Sequence, residues 1–467
     1  MIRLKIKDIK DFFRQYKIEI ILFSIGSLVR LFFLFLSLHA RSYDYNFMGG
    51  DGYYEIGRNL WRNGFFSNRL NAPFILDPMR TPGLPYLISF FLFLFKTPLV
   101  FLIFQVLFSG FLQVIGFKIA RFFGLSVLAS FLICLFWIID PLSISLSIRM
   151  ITETFFTLFF LLFVFFVTWI IKSLEKLNYH NFVLAGLSLG LATLFKPTTL
   201  YFAVLLSIVW LLDRLIKRRS LFLKQIFVFL FCVYIVTVPW FLHNFKIYGI
   251  FNYSTAKEQV MYSNLIPSIW SYKNNESYDK SLERLYLSDG FQELSEVAMK
   301  NTSWFRTRVV EEIKKNPKEF LEVGLVSTMT FFTHDGSLDL LMMLKKADAS
   351  TQFPHGLSFF HQPFSKIAQS LFQLAVSPFL LVLFFRLIWV GLTFLFLSGI
   401  VFFLVNKRND LLAWFFLICI LYFSLTTISN GLTVNGRFRF PVDILILCFV
   451  VWGIKLFSNL IHKPIRT

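Results

Sequence analysis

Ten stretches of this chain are apolar for long enough to be read as membrane spans, and the rest of the sequence has to be arranged around them. A helix crosses the ~30 Å hydrocarbon core with about 20 predominantly apolar residues. Its backbone polar groups must be satisfied within the segment, because lipid offers no partners. The candidates are 18–38, 98–117, 125–146, 153–171, 181–195, 198–212, 225–242, 380–404, 411–429 and 441–458. The pair 181–195 and 198–212 is short, and Lys196-Pro197 breaks it into a hairpin. Composition agrees, since 56% of the 467 residues are hydrophobic against roughly 45–50% in a soluble domain. The expected fold is all-α and polytopic. The first run exceeds the ~7–15 residues of a signal-peptide core and is read as a retained span.

The net charge of +19 raises the question of nucleic acid, but the basic residues flank apolar runs instead of forming a recognition module. With the N-terminus in the cytoplasm, the inside segments are 1–17, 118–124, 172–180, 213–224, 405–410 and 459–467. Each is basic: Arg3, Lys5, Lys7, Lys10, Arg14 and Lys17, then Lys118 and Arg121, then Lys172 and Lys176. Arg214, Lys217, Arg218, Arg219 and Lys224 follow, then Lys407, Arg408, Lys463 and Arg466. This is the positive-inside pattern, and such clusters also attract anionic lipid. Parity decides the ambiguous run 84–95. If it crossed, the Arg214–Lys224 cluster would face outside, so it is read as re-entrant or interfacial.

Three regions follow. Residues 1–242 form an N-terminal transmembrane module whose first exterior loop is 39–97. Residues 243–379 form an exterior loop expected to fold as a small mixed domain, with an interfacial helix over 320–332. Residues 380–467 carry the last spans. All four cysteines (Cys134, Cys232, Cys419, Cys448) lie inside apolar runs, so neither disulfides nor a zinc site is expected. No Walker or dinucleotide-type glycine loop occurs, and the inside segments are short. Chemistry on the outside without nucleotides needs an activated donor that itself crosses the membrane, and a lipid-phosphate sugar satisfies that condition.

The first exterior loop opens with Gly49-Gly50-Asp51-Gly52. Tyr53, Tyr54, Ile56, Gly57, Leu60 and Trp61 then fall on one helical face. A helix of this kind lies in the membrane interface and would hold Asp51 near lipid headgroups; the plainer reading of the motif is a turn. Arg80-Thr81-Pro82-Gly83-Leu84-Pro85 closes the loop. Arg149-Met150-Ile151-Thr152-Glu153 opens one span, and Gly190 to Lys196-Pro197 ends another. Pro239-Trp240 with His243-Asn244 and Tyr248-Gly249 leaves a third, and Arg437-Phe438-Arg439-Phe440-Pro441 precedes the last.

These motifs, in this order, resemble the membrane-embedded GT-C glycosyltransferases, the protein O-mannosyltransferase and lipid A aminoarabinose transferase branch above all. The likeness is firmest at both ends and poorest across 250–370. It implies an inverting transfer of a sugar from a polyprenyl-phosphate carrier to a hydroxyl or amine of a lipid, protein or glycan acceptor. The expected setting is the outer face of a bacterial inner membrane, with both termini cytoplasmic. The resemblance makes Asp51 the catalytic base, and a carboxylate within reach can accept the acceptor's proton. Tyr54 and Arg80 are carried over as substrate-binding positions. Many relatives have paired acidic residues where Asp51 is followed by Gly52, so no metal is indicated and no cofactor is expected.

Each remaining candidate has a structural alternative beside its functional one. Glu153 stands four residues after Arg149, the spacing of a helical ion pair, or it serves the site. Lys196 snorkels to headgroups or places a point charge on the leaving phosphate. Arg437 and Arg439 bind two phosphate oxygens or join a salt-bridge network with Asp443. Arg30 falls mid-span and needs a partner, while Arg386 is placed near an interface. His243, His334, His355 and His361 are read as loop residues, and the sequons at Asn252, Asn275 and Asn301 face outside. Two rival functions remain. A transporter or flippase of lipid-linked sugars would place its charges at the midplane between repeated halves, and a polysaccharide polymerase or ligase would use a diphosphate-linked donor.

Overall fold

The computed structural model describes residues 15–69, 71–173, 178–216, 223–291, 299–347, 365–366, 368–369, 372 and 380–461. The basic residues before 15, those at 176, 217–219, 463 and 466, and His355 and His361 lie outside the described residues. Among the described residues every regular element is helical, and the only extended pairing is an isolated parallel bridge between Gly49 and Met150.

The N-terminal half contains α1 (Lys17–Ala40), α2 (Tyr53–Asn63), α3 (Gly83–Phe95), α4 (Pro98–Phe122), α5 (Val127–Ile139), α6 (Pro141–Ile148) and α7 (Glu153–Lys172). It continues through α8 (Tyr179–Phe195), α9 (Phe202–Ile216) and α10 (Leu223–Tyr248). A middle segment follows with α11 (Ile266–Asn274), α12 (Tyr278–Asp289), α13 (Thr302–Lys315), α14 (Pro317–Thr333) and α15 (Ser337–Met343). The chain closes with α16 (Leu380–Asn406), α17 (Leu411–Thr427) and α18 (Asp443–Ile461).

The chain is an all-α polytopic membrane protein. Eight described helices are long and apolar enough to cross a bilayer, or nine if the bent pair α5–α6 is one span. The remaining expected span, 181–195, falls on a shorter apolar helix, α8. Helix α8 has 17 residues, about 26 Å at 1.5 Å per residue, roughly a turn short of the hydrocarbon thickness. Helix α3, with 13 residues, is shorter still and packs against α2 and α4.

The stretch expected as one span over 125–146 bends by 58° between α5 and α6. Asp140-Pro141 causes the break. The proline has no N–H to continue the ladder, and the Asp140 carboxylate caps α6 by accepting from the Ser143 N–H at 3.1 Å. All eight residues of α6 are buried, the circumstance in which irregular backbone is tolerated at membrane depth. This helix also supplies the partner that Arg30 needed. Arg30, fully buried on α1, donates to Ser143 Oγ at 2.6 Å and Ser147 Oγ at 3.1 Å.

Every regular element among the described residues of the segment 256–333 is a helix, where a small mixed domain was expected. Its own core gathers Tyr262, Leu265, Ile266, Ile269, Leu285, Phe305, Val309 and Val323. The first four are spaced i, i+3, i+4 and i+7, the period of one helix face, and the alternation a strand requires is missing there. Beneath it, Trp270 Nε1 donates to Glu312 at 3.0 Å, and Arg308 bridges Glu312 and Asp289. The run 320–332 forms most of α14, which packs on α11, α16 and α17.

Candidate active site

Five segments remote in sequence converge in one cluster. The Gly49–Gly52 turn is fastened to the α6–α7 joint by Met150 N–H donating to Met48 O at 2.8 Å. Gly50 has to be glycine there, because a Cβ would lie 2.4 Å from Ile151 Cγ2 and 3.3 Å from the Arg149 guanidinium. Asp51 and Gly52 both adopt left-handed backbone, with φ of 57° and 78°. Gly52 does so freely. For Asp51 the conformation is strained, and strain of this kind gathers at functional sites.

The other members are held as firmly. Arg80 sits in a turn whose Asp77 carboxylate accepts from Met79 N–H and Arg80 N–H at 2.7 and 2.9 Å. Next to it, Thr81 Oγ1 donates to Phe195 O at 2.7 Å, tying that turn to the residue before Lys196. Glu153 is the first residue of α7 and fully buried. Arg437 lies on a short 3-10 turn whose backbone is capped by Asn435 Oδ1.

One guanidinium joins two of these elements. Arg437 pairs through Nη2 with Asp51 Oδ2 at 2.6 Å and through Nε with Glu153 Oε1 at 2.7 Å. Lys196 Nζ reaches the same Glu153 oxygen at 2.8 Å. Arg80 Nε donates to the Asp51 backbone carbonyl at 2.6 Å. Asp51, Arg80, Glu153, Lys196 and Arg437 therefore form one cluster. Exposure is uneven: the Asp51 side chain is 37% accessible and Arg437 26%, whereas Glu153 is closed off.

The electrostatics follow from that geometry. The Arg437 guanidinium holds the Asp51 carboxyl well below the usual carboxylate range, with Arg80 and Arg149 adding to the pull against partial burial. Burial lowers the Lys196 ammonium from its ordinary value, and Glu153 offsets this only in part.

Two expectations are corrected. Arg439 does not partner Arg437. It is fully buried, pairs with Asp443 at 2.7 Å, and donates to the carbonyls of Phe331 and Phe332 at 3.0 and 2.8 Å. Its guanidinium carbon lies 3.4 Å from the centre of the Trp389 ring. On a 3-10 turn, residues two apart point to different sides, so the second arginine caps the end of α14. Tyr54 makes no described contact with the cluster's side chains; it packs beside Gly49, with the Arg58 guanidinium 5.8 Å from its ring centre. Its neighbour Tyr53 faces the cluster, with Arg80 5.7 Å from its ring centre and its hydroxyl pKa pushed up to about 12 by burial.

The structure re-places Arg149 and adds two residues that sequence reasoning did not place, Gln105 and Asp339. Arg149 is the extended residue after α6, so it shares no helix with Glu153 and the i, i+4 pairing does not form; Glu153 takes Lys196 and Arg437 instead. Gln105 fixes the joint by donating to the carbonyls of Ser147 and Arg149. Asp339, in the first turn of α15, lies within electrostatic reach of Arg149 and Arg437, and burial raises its carboxyl above the ordinary value. Nothing in its local sequence marked it.

Arg386 pairs with Asp335 at 2.5 Å, His243 stacks on Trp240 at 4.4 Å, and His334 Nδ1 accepts from Gly336 N–H. The four cysteines are free and buried. Among the described residues no three His, Cys, Asp or Glu side chains gather as a metal cluster, and the Arg437 guanidinium occupies the position between the Asp51 and Glu153 carboxylates. No protein-family model matches this chain, and no curated protein matches its sequence.

Proposed function

We propose that the protein is an inverting glycosyltransferase of the GT-C kind, moving a sugar from a polyprenyl-phosphate carrier to an acceptor hydroxyl or amine on the non-cytoplasmic face of the membrane. The observation that carries this reading is the convergence of Asp51, Glu153, Lys196, Arg437 and Arg80 at the mouth of a membrane bundle, with acidic and basic groups interleaved. A transfer from a lipid phosphate needs both signs of charge in one place. The basic groups meet the phosphate that departs, and a carboxylate meets the proton that must be removed.

In the step itself the acceptor oxygen or nitrogen forms a bond to the anomeric carbon from the face opposite the phosphate. The bond from that carbon to the phosphate oxygen breaks, and the electron pair leaves with the lipid phosphate. The acceptor proton passes to Asp51. Glu153, shielded from solvent between Lys196 and Arg437, fixes the orientation of both cations. Arg80 braces the Asp51 backbone while its guanidinium stays partly accessible. The basic segments between spans support placing this cluster outside, where a carrier lipid can present its headgroup from the bilayer.

Purified protein supplied with a labelled polyprenyl-phosphate sugar and acceptor should release free lipid phosphate. Asp51→Asn should reduce that release by about 10²- to 10⁴-fold in protein that still melts cooperatively. Turnover retained in Asp51→Asn would remove Asp51 as the base. Movement of labelled sugar lipid across vesicles with no glycosidic bond formed would replace the transferase with a transporter.

A further inference from the structure

A carboxylate gripped by a guanidinium is a poor base, because its affinity for a proton falls with its pKa. Asp51 is gripped in this way, with Arg437 2.6 Å from Oδ2. Resting on the reading above, we propose that Arg437 is an exchangeable counter-ion: paired with Asp51 it silences the carboxylate, and it passes to the phosphate of an arriving lipid-linked donor, so that the base is released as the donor binds.

Three features make the exchange feasible. Arg437 is 26% exposed and rooted on a short 3-10 turn between Asn435 and Phe440, so a phosphate can reach its guanidinium from the open side. Its second carboxylate is not left without a cation by the move. Glu153 keeps Lys196 at 2.8 Å when Arg437 shifts, and its other oxygen retains the Thr152 hydroxyl at 3.4 Å. Asp51 is not stranded either, being 37% exposed and still within the field of Arg80 and Arg149. The arginine two residues on lacks all three features, so mobility is confined to the one that faces the ligand.

The exchange makes Asp51 and the donor phosphate competitors for one cation, and that competition can be measured without knowing the sugar. The probe is a short-chain polyprenyl monophosphate, the leaving group itself, with inorganic phosphate, phosphatidylglycerol vesicles and the unphosphorylated polyprenol as comparison arms. Binding is read on full-length protein whose folding is checked by melting curve. Asp51→Asn frees Arg437 and should tighten binding of the monophosphate roughly tenfold, within the range for residues sharing one ion-pair network. Arg437→Gln should weaken it, and in that background Asp51→Asn should no longer tighten it. Arg437→Lys, which keeps the charge, should restore part of the coupling.

An equal gain from Asp51→Asn in both backgrounds would mean plain repulsion between carboxylate and phosphate, and the exchange would be wrong. A loss of affinity in Asp51→Asn would overturn it as well. If wild-type protein binds polyprenyl monophosphate no better than polyprenol, the lipid-phosphate reading itself fails. Stronger binding to phosphatidylglycerol or inorganic phosphate than to the polyprenyl compound would overturn the assignment of the ligand.

Discussion

Arg437 and Arg439 stand two residues apart and occupy opposite electrostatic regimes. Arg437 is partly open and holds carboxylates contributed by distant parts of the chain, Asp51 and Glu153. Arg439 is sealed, holding a carboxylate four residues on, two carbonyls at the end of α14 and the face of an indole. Ion pairs that water can reach are worth little and can be traded. A sealed pair is costly to break, because a lone charge is left without solvent. One arginine is therefore suited to chemistry and the other to holding helices together, although the sequence presents them as a pair.

The largest test of this contrast is Arg439→Met. Leaving Asp443 without its cation should destabilise the protein by about 3–5 kcal/mol, seen as a lower melting temperature in detergent. Arg437→Gln should melt closer to wild type, since the partly exposed Asp51 is left to water and the buried Glu153 keeps Lys196 as its cation. The opposite order of melting temperatures would reverse the assignment of the two arginines.

A smaller effect is expected at Gly50. A methyl group there meets Ile151 at 2.4 Å, and overpacking of this kind costs about 1–3 kcal/mol. Gly50→Ala shifts Asp51 relative to Arg437 without touching Arg439. Release of lipid phosphate should fall roughly 10²-fold, the scale of an ångström misplacement, in protein that remains folded. Wild-type turnover in this variant would show that the tight turn does not set the position of Asp51.

The smallest effect concerns acid. The Asp51 carboxyl is held below its ordinary value by Arg437, so its ion pair stabilises the folded state above the unfolded carboxylate pKa of about 4. That contribution fades as pH falls through the lower, folded value. The difference in melting temperature between wild type and Asp51→Asn should therefore be present at neutral pH and shrink below about pH 4. With Asp51 37% exposed the difference is modest. A gap that widens in acid would contradict the ion pair.

The spans were legible because twenty apolar residues have few alternatives in water or lipid. The break at Asp140-Pro141 was legible in principle, since an N-capping aspartate before proline is a helix start, but the surrounding apolar run concealed it. In the site, Asp51, Glu153, Lys196 and Arg437 were found at span edges, where an ionisable side chain needs a reason to be. Arg149 was paired with Glu153 by counting along a helix that does not extend that far. Tyr54 was preferred to Tyr53 by motif spacing, although the direction of a side chain depends on where its helix begins. Asp339 was invisible because its significance lies in neighbours brought to it by α6 and the last turns.

The bend between α5 and α6 acts as a lever arm. Eight residues of α6 rise ~12 Å, and turning them through 58° offsets their far end sideways by roughly 10 Å. Run straight, the same polypeptide would deliver Arg149 and the start of α7 well beyond the reach of any contact with the Asp51 turn. A single aspartate-proline step deep in the bundle thus sets the gauge of the charged mouth above it.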